Sequence, residues 1–190
     1  MATATKSHNN STDGSSKPAF NSRHRRLQVA VWQNDTAKGT FFNVSLQRSY
    51  QDDKEWKRSQ SSLNRDDLLV AAKLLNWAHS AINTARSSNA TPPEGNRPLS
   101  NQRYRNLEVA VWHQTGDERP FYTVSLKRSY KVGEEWNDST ISLGNEDLLP
   151  MARLLERSHD AIDELYASGN YGSEDPKGTE SSERMDDVPF

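Results

Sequence analysis

The sequence predicts an α+β protein made of two tandem β-β-β(β)-α repeats that form a pseudo-two-fold unit with disordered termini. Two observations lead to this prediction. The first is that the stretch VSLQRSY at 44–50 returns as VSLKRSY at 124–130, 80 positions later. The second is that the hydrophobic period within each copy changes once, from the two-residue period of strands to the 3.6-residue period of a helix.

The repeated segment is much longer than this one stretch. A shift of 80 aligns residues 27–82 with residues 107–162 without a gap, and 26 of the 56 positions are identical. Self-similarity on this scale indicates a duplicated structural module. A unit of this size buries little core, and a three-stranded sheet has open edges. We therefore expect the two copies to cover each other as a built-in pseudo-dimer.

The strands of each copy are predicted from alternation. In copy one, LQVAVWQN at 27–34 alternates apolar and polar residues, and a turn containing Gly39 leads to FFNVSLQ at 41–47, which alternates in the same way. A third strand is expected at about 55–63, and its polar sequence favours a sheet edge. An additional N-terminal strand is also compatible with the pattern.

The helix of each copy is predicted from a stripe at helical spacing. In copy one this stripe consists of Leu68, Ala72, Leu75, His79 and Ile82. We expect Asp67 and Asp147 to be the N-cap residues, because aspartate is a favoured cap and proline is tolerated in the first turn that follows. This structural role is preferred over a catalytic role for both aspartates.

Composition sets the boundaries of the repeats. The mean hydropathy of −0.96 is too polar for a single packed unit of 190 residues. The sequence predicts a disordered basic head (1–22), repeat 1 (23–86), a Pro-, Ser- and Asn-rich linker (87–102), repeat 2 (103–167) and a disordered acidic tail (168–190). Residues 1–26 carry a net charge of +4 and residues 163–190 carry −6, so the segment between them is neutral.

Several function classes are disfavoured by what the sequence lacks. The chain has no cysteine, which excludes disulfides and thiolate metal sites. It has no apolar run of the roughly 20 residues needed to span a bilayer, and no secretory leader pattern, so a cytoplasmic location is expected. Glycine-rich phosphate loops, nucleophile elbows and zinc-ligand spacings are absent, and we expect neither an enzyme nor a cofactor or metal.

The candidate binding surface is the sheet side that the helix does not cover. By strand alternation, this side displays aromatic residues among hydrogen-bonding side chains, a combination that suits unpaired bases. The predicted nucleic-acid-binding residues are Trp32, Phe41, Asn43, Ser45, Gln47 and Arg48 in copy one, and Trp112, Phe121, Thr123, Ser125, Lys127 and Arg128 in copy two. The alternative is that these aromatics form an interface between the copies or between chains.

Other side chains that occur at the same position in both copies also have two interpretations each. Arg48 shares strand parity with the core residues. A structural contact with Asp67, Glu55 or a helix C-terminal carbonyl, covered by Tyr50, is therefore preferred over a phosphate contact. Trp56 and Trp136 are interpreted as half-buried covers of the edge strand, with base stacking as the alternative. His79 and His159 lie on apolar helix faces, where a hydrogen-bonded core histidine is preferred over a metal ligand.

The motifs VAVW, [FY]xVSLxRSY and DLLxxAxLL resemble a family of short, mostly uncharacterised bacterial proteins that usually contain one such module. The plan of strands followed by a helix also resembles the fold of Whirly proteins, PUR repeats and the transcriptional coactivators that bind single-stranded DNA. Those proteins form dimers or tandem pseudo-dimers and bind through the sheet. This resemblance implies single-stranded DNA or RNA as the partner and the possibility of homo-oligomers. The alternative function is a protein-interaction or oligomerisation module that binds no nucleic acid.

Overall fold

The computed structural model describes residues 17–37, 39–52, 54–91, 93–115 and 121–168. The predicted disorder of the head and of the acidic tail falls largely outside these residues. Within the described residues, no helix is both long enough and apolar enough to cross a membrane.

Each repeat consists of a four-stranded antiparallel sheet followed by one long helix, which confirms the predicted α+β class. The extra N-terminal strand is present in both copies. The elements are β1 (Phe20–His24), β2 (Leu27–Thr36), β3 (Gly39–Asp52), β4 (Glu55–Asn64), α1 (Arg65–Ser87), β5 (Ser100–Tyr104), β6 (Leu107–Gln114), β7 (Phe121–Val132), β8 (Glu135–Gly144) and α2 (Leu148–Ala167).

The strands form two simple meanders, β1-β2-β3-β4 (sheet one) and β5-β6-β7-β8 (sheet two). In sheet one, Val44 lies opposite Val31 on one side and opposite Leu63 on the other, and all three are fully buried. Their counterparts in sheet two have the same pairing and the same burial. The alternation of the sequence therefore predicts the core face of both sheets correctly.

The two repeats exchange their helices across a shared core. Helix α1 packs along α2 and also against β6 of sheet two, while α2 packs against β2 and β1 of sheet one. The apolar residues of both repeats form one continuous buried cluster. The predicted pseudo-dimer is therefore confirmed, and neither repeat has a complete core by itself.

Two reciprocal ion pairs join the repeats. Arg48 of β3 donates from Nε to Oδ2 of Asp147 at 2.6 Å, and Arg128 of β7 donates from Nε to Oδ2 of Asp67 at 2.8 Å. These side chains are between 7% and 15% exposed. The prediction that Arg48 pairs with Asp67 or Glu55 of its own copy is wrong, because the packing of the helices brings Asp147 of the other repeat to this strand.

A tyrosine lies beside each of these arginines. The guanidinium carbon of Arg48 is 5.5 Å from the ring centre of Tyr50, and that of Arg128 is 5.4 Å from the ring centre of Tyr130. At this distance an aromatic ring attracts a guanidinium and limits its contact with water. Each copy therefore contributes its Arg-Ser-Tyr sequence to one of the two reciprocal ion pairs between the repeats. We call these two ion pairs the inter-repeat joint.

The two aspartates also accept backbone hydrogen bonds at the starts of the helices, and one of them has a different position from the one predicted. Helix α1 begins at Arg65 after the N-cap Asn64, so Asp67 is the third helical residue and accepts a hydrogen bond from the Asn64 N–H at 3.3 Å. Asp147 is the N-cap of α2, but its carboxylate accepts from the Gly144 N–H at 3.0 Å. The N-cap assignment of Asp67 is wrong, and Pro150 lies in the first turn as predicted.

The edges of the two sheets meet at β4 and β8. The hydroxyl oxygens of Ser61 and Ser139 are 2.9 Å apart, and Ser59 accepts a hydrogen bond from the Ser142 N–H at 3.3 Å. Ser59 and Ser139 are equivalent positions of the repeat, and each contacts the edge strand of the other copy. The edge that the sequence predicts at β4 is therefore covered by the second copy.

More exposed ion pairs also cross between the repeats. Arg65 donates two hydrogen bonds to Oδ1 of Asp163, at 3.0 and 2.7 Å, and these bonds raise the pKa of the Arg65 guanidinium above its ordinary value. Arg26 and Glu146 form a looser pair at 3.4 Å with both side chains about half exposed. Exposed pairs of this kind contribute little to stability.

We expect Arg48→Ala to lower the free energy of unfolding by about 3 kcal/mol, because it leaves the carboxylate of Asp147 largely buried without its cation. Arg26→Ala also removes an inter-repeat ion pair and should cost less than about 1 kcal/mol. Urea unfolding of both variants measures the difference. Equal losses would show that the Arg48 pair does not hold the repeats together.

We also expect repeat one, expressed alone as residues 17–91, to form a homodimer. A second copy can supply the helix and the aspartate that repeat two supplies in the full chain. Sedimentation equilibrium measures the mass, and near-ultraviolet circular dichroism reports tertiary packing. A stably folded monomer would contradict the exchanged core.

Candidate nucleic-acid interface

Each sheet has one side that the helices do not cover. We call these sides outer face one and outer face two. Register and strand alternation assign the following residues to outer face one: Asn21, Arg23, Gln28, Ala30, Trp32, Asn34, Phe41, Asn43, Ser45, Gln47, Ser49, Gln51, Trp56, Arg58, Gln60 and Ser62. Outer face two consists of Asn101, Arg103, Glu108, Ala110, Trp112, Gln114, Phe121, Thr123, Ser125, Lys127, Ser129, Lys131, Trp136, Asp138, Thr140 and Ser142.

Ten of the twelve predicted binding residues lie on these outer faces. Five of them are together on each sheet, with equivalent positions in the two copies. The two exceptions are Arg48 and Arg128, which lie on the core side of their strands and form the inter-repeat ion pairs. Their geometry matches the structural interpretation rather than a contact with a ligand on the outer face.

A tryptophan is fixed at the centre of each outer face. The indole N–H of Trp32 donates to the hydroxyl of Ser45 on the neighbouring strand at 2.9 Å, and Trp112 donates in the same way to Ser125 at 3.1 Å. Both indoles are only partly buried. The hydrogen bond sets the orientation of the ring, so a ligand that stacks on it encounters an ordered surface.

Phenylalanine extends each aromatic surface. Phe41 lies opposite Asn34 and Asn43 lies opposite Trp32, so Phe41 and Trp32 are diagonal neighbours on one side of the sheet. Diagonal neighbours lie within reach of aromatic side chains. Phe41 and its counterpart Phe121 are each 49% exposed. These side chains offer apolar rings to the solvent beside amides and hydroxyls.

A third aromatic lies on each outer face, where the sequence interpretation preferred packing and kept base stacking as the alternative. Trp56 lies opposite Gln51, which puts it on outer face one, and it is 67% exposed. Trp136 lies opposite Lys131 and is 71% exposed. The interpretation of these tryptophans as half-buried covers of the edge is wrong. The sequence signal that places these tryptophans on the outer faces is the register of the hairpin. Residues 52 and 55 pair across a two-residue loop, so Trp56 lies opposite Gln51.

The hairpin that carries Trp56 is held by an ion pair at its tip. The ammonium of Lys57 donates to Oδ2 of Asp52, and this hydrogen bond raises the pKa of the lysine above its ordinary value. A second pair of contacts orders the opposite end of the sheet, where Thr40 and then Gln33 donate to Asp35 and lower the pKa of its carboxyl group. Side-chain hydrogen bonds therefore connect neighbouring residues at both ends of outer face one.

The charges of the two outer faces differ. Outer face one has Arg23 and Arg58 and no acidic residue. Outer face two has three basic residues, but Glu108 pairs with Lys127 at 3.2 Å, and Asp138 occupies the position equivalent to Arg58. The duplicated surfaces therefore share their aromatic residues and not their charge.

A shallow groove of about 450 Å³ borders outer face two. It lies between linker residues 93–97 and the end of β6, and Arg97, Trp112 and Gln114 line it. The equivalent residues ahead of β1 lie outside the described residues except for Lys17. The groove places a guanidinium next to the aromatic surface of sheet two.

The histidines on the helices have local partners. His79 Nδ1 lies 3.4 Å from the amide nitrogen of Asn83, and His159 Nδ1 lies 3.4 Å from Oδ2 of Asp163. Among the described residues, no group of three histidine or carboxylate side chains is arranged to hold a metal ion.

The chain matches no protein-family model and no curated protein sequence. What can be concluded about its class therefore rests on the fold. It is an α+β protein with two tandem four-stranded antiparallel sheets, each followed by a helix, and the two helices pack together.

We expect Trp56→Ala combined with Trp136→Ala to change the free energy of unfolding by about 0.5 kcal/mol or less, because both side chains are mostly exposed. Leu46→Ala, on the core side of β3, should cost about 2–5 kcal/mol through the cavity it creates. Thermal or urea unfolding compares them. A large loss in the tryptophan double variant would contradict the assignment of these residues to an open surface.

Proposed function

We propose that the protein binds single-stranded DNA or RNA through its outer faces and that it is not an enzyme. One observation carries the proposal. Each open antiparallel sheet displays three aromatic side chains among amides and hydroxyls, and the central indole is oriented by a hydrogen bond. The same set occurs twice in one chain.

Stacking supplies the attraction in this proposal. An unpaired base that stacks on an aromatic side chain contributes roughly 1–3 kcal/mol, and every base has a face that can do so. On outer face one the stacking residues are Trp32, Phe41 and Trp56. The amides of Asn43 and Gln47 can bond to base edges or to the sugar–phosphate backbone.

A single strand suits this surface better than a duplex. The bases of a duplex are already stacked and paired, so their faces are unavailable to side chains that project from a sheet. Among the described residues, outer face one carries two arginines, and on outer face two one of three basic residues pairs with Glu108, which is little positive charge for binding a duplex backbone. Affinity should therefore come mainly from stacking, with a small number of phosphate contacts.

The tandem arrangement supports the same proposal by analogy. Whirly proteins, PUR repeats and single-stranded-DNA-binding coactivators have sheets followed by helices, in dimers or tandem pseudo-dimers. Those proteins bind nucleic acid through the sheet. Fold analogy does not by itself define a function. The aromatic rings, amides and hydroxyls on the outer faces have the chemistry that such a role requires.

We expect fluorescence anisotropy with labelled single-stranded oligonucleotides to show binding at 50 mM salt, weaker binding at 200 mM salt, and weaker binding to the matching duplex. Trp32→Ala with Trp56→Ala should cost about 2–6 kcal/mol if each ring stacks on a base. Trp77→Phe, on helix α1, is the matched aromatic control and should leave the affinity unchanged.

Two results would contradict the proposal. The first is a Kd above about 100 μM for every single strand at 50 mM salt, which is weaker than ordinary non-specific binding. The second is equal affinity of the wild type and the Trp32/Trp56 double variant. Either result would leave a protein-interaction surface as the role of the exposed aromatics.

A further inference from the structure

The two outer faces differ at the position that follows the exposed hairpin tryptophan. On β4, Trp56 is followed two residues later by Arg58, and on β8, Trp136 is followed two residues later by Asp138. Residues two apart in a strand lie on the same face, separated by about 7 Å. If the bases of a single-stranded nucleic acid stack on these tryptophans, its phosphate backbone therefore passes close to a cation on sheet one and close to an anion on sheet two.

Arg58 is available for a ligand. It lies opposite Ser49, and no carboxylate of the described residues forms an ion pair with it. Asp138 lies opposite Ser129, which donates to it at 2.6 Å and holds the carboxylate on outer face two. The equivalent positions therefore carry opposite charges, each opposite a serine of the neighbouring strand.

The remaining charges do not compensate for this difference. Lys127 pairs with Glu108 across the strands, and Lys131 pairs with Glu134 at 3.5 Å. The positions equivalent to Lys127 and Glu108 on sheet one are Gln47 and Gln28, which carry no charge. Arg23 and Arg103 are equivalent and add the same charge to both faces. Arg97, in the groove beside outer face two, has a basic counterpart in Lys17 at the equivalent position of repeat one.

We infer that outer face one is the principal nucleic-acid surface and that Asp138 weakens binding to outer face two. This inference rests on the proposed function and identifies where on the molecule it takes place. On sheet one a phosphate gains the free guanidinium of Arg58, whose fork of donors matches phosphate oxygens. On sheet two the same phosphate meets a carboxylate.

A reciprocal charge exchange tests the inference on the full chain. The probe is a fluorescein-labelled oligodeoxythymidine of about 12 nucleotides, a length within the range that one small sheet surface covers. We expect Arg58→Asp to weaken binding at least about tenfold and Asp138→Arg to strengthen it severalfold. The combined variant should regain most of the affinity that Arg58→Asp loses. Arg58→Lys keeps the charge and is the control.

The salt dependence separates a phosphate contact from a packing effect. Arg58→Ala should reduce the slope of log Kd against log salt by about 0.7, the value for one phosphate contact on a single strand. Asp138→Asn should leave this slope close to that of the wild type, since it removes a repulsion and adds no cation. Near-ultraviolet circular dichroism of each variant confirms that the fold is intact.

Tryptophan fluorescence shows which outer face the oligonucleotide contacts. In the wild-type background, Trp56→Phe should remove more of the quenching by the oligonucleotide than Trp136→Phe does. In the charge-exchanged protein this order should reverse. If the wild type binds the oligonucleotide but both tryptophans contribute equally and Arg58→Asp has no effect, the inference is overturned while the proposed function stands. If the wild type does not bind at all, both fail.

Discussion

The reciprocal ion pairs between Arg48 and Asp147 and between Arg128 and Asp67 are the joint on which the rest of the structure depends. Each aspartate also accepts a backbone N–H at the start of its helix, so one carboxylate fixes both a helix start and the opposite sheet. A largely buried carboxylate requires such partners to remain charged at an acceptable cost. Because each repeat provides one arginine and one aspartate, neither repeat can satisfy its own charges in this arrangement.

The exchange of helices determines which surfaces remain available. Sheet one buries its Val- and Leu-rich side against both helices, sheet two packs against α1 of the other repeat, and the β4 and β8 edges contact each other. Small sheets with open edges are prone to pair with other chains. Here the second copy covers that edge, and among the described residues the outer faces are sheet surfaces that no helix covers. Their aromatic residues are therefore not explained by the core.

Duplication within one chain also removes a restriction that symmetry imposes. In a homodimer both sheets have the same residues, so a charge that favours a ligand on one face appears on the other. In the tandem chain the joint is retained in both copies, whereas Arg58 and Asp138 differ. The residues that hold the copies together and the residues that face the solvent therefore lie on opposite sides of the same strands and can change independently.

The sequence by itself determined the elements and the faces. Alternation placed Trp32 and Val44 on opposite sides of the sheet, and helical spacing placed Leu68 and Ile82 in the core. It could not determine the partner of Arg48, because Asp67 and Asp147 are the same residue at the same position of the repeat. Only the tertiary structure, by exchanging the helices, decided between a pair within a copy and a pair between copies. The exposure of Trp56 was likewise decided by what packs near the hairpin tip, a property of three-dimensional contacts that local periodicity does not contain.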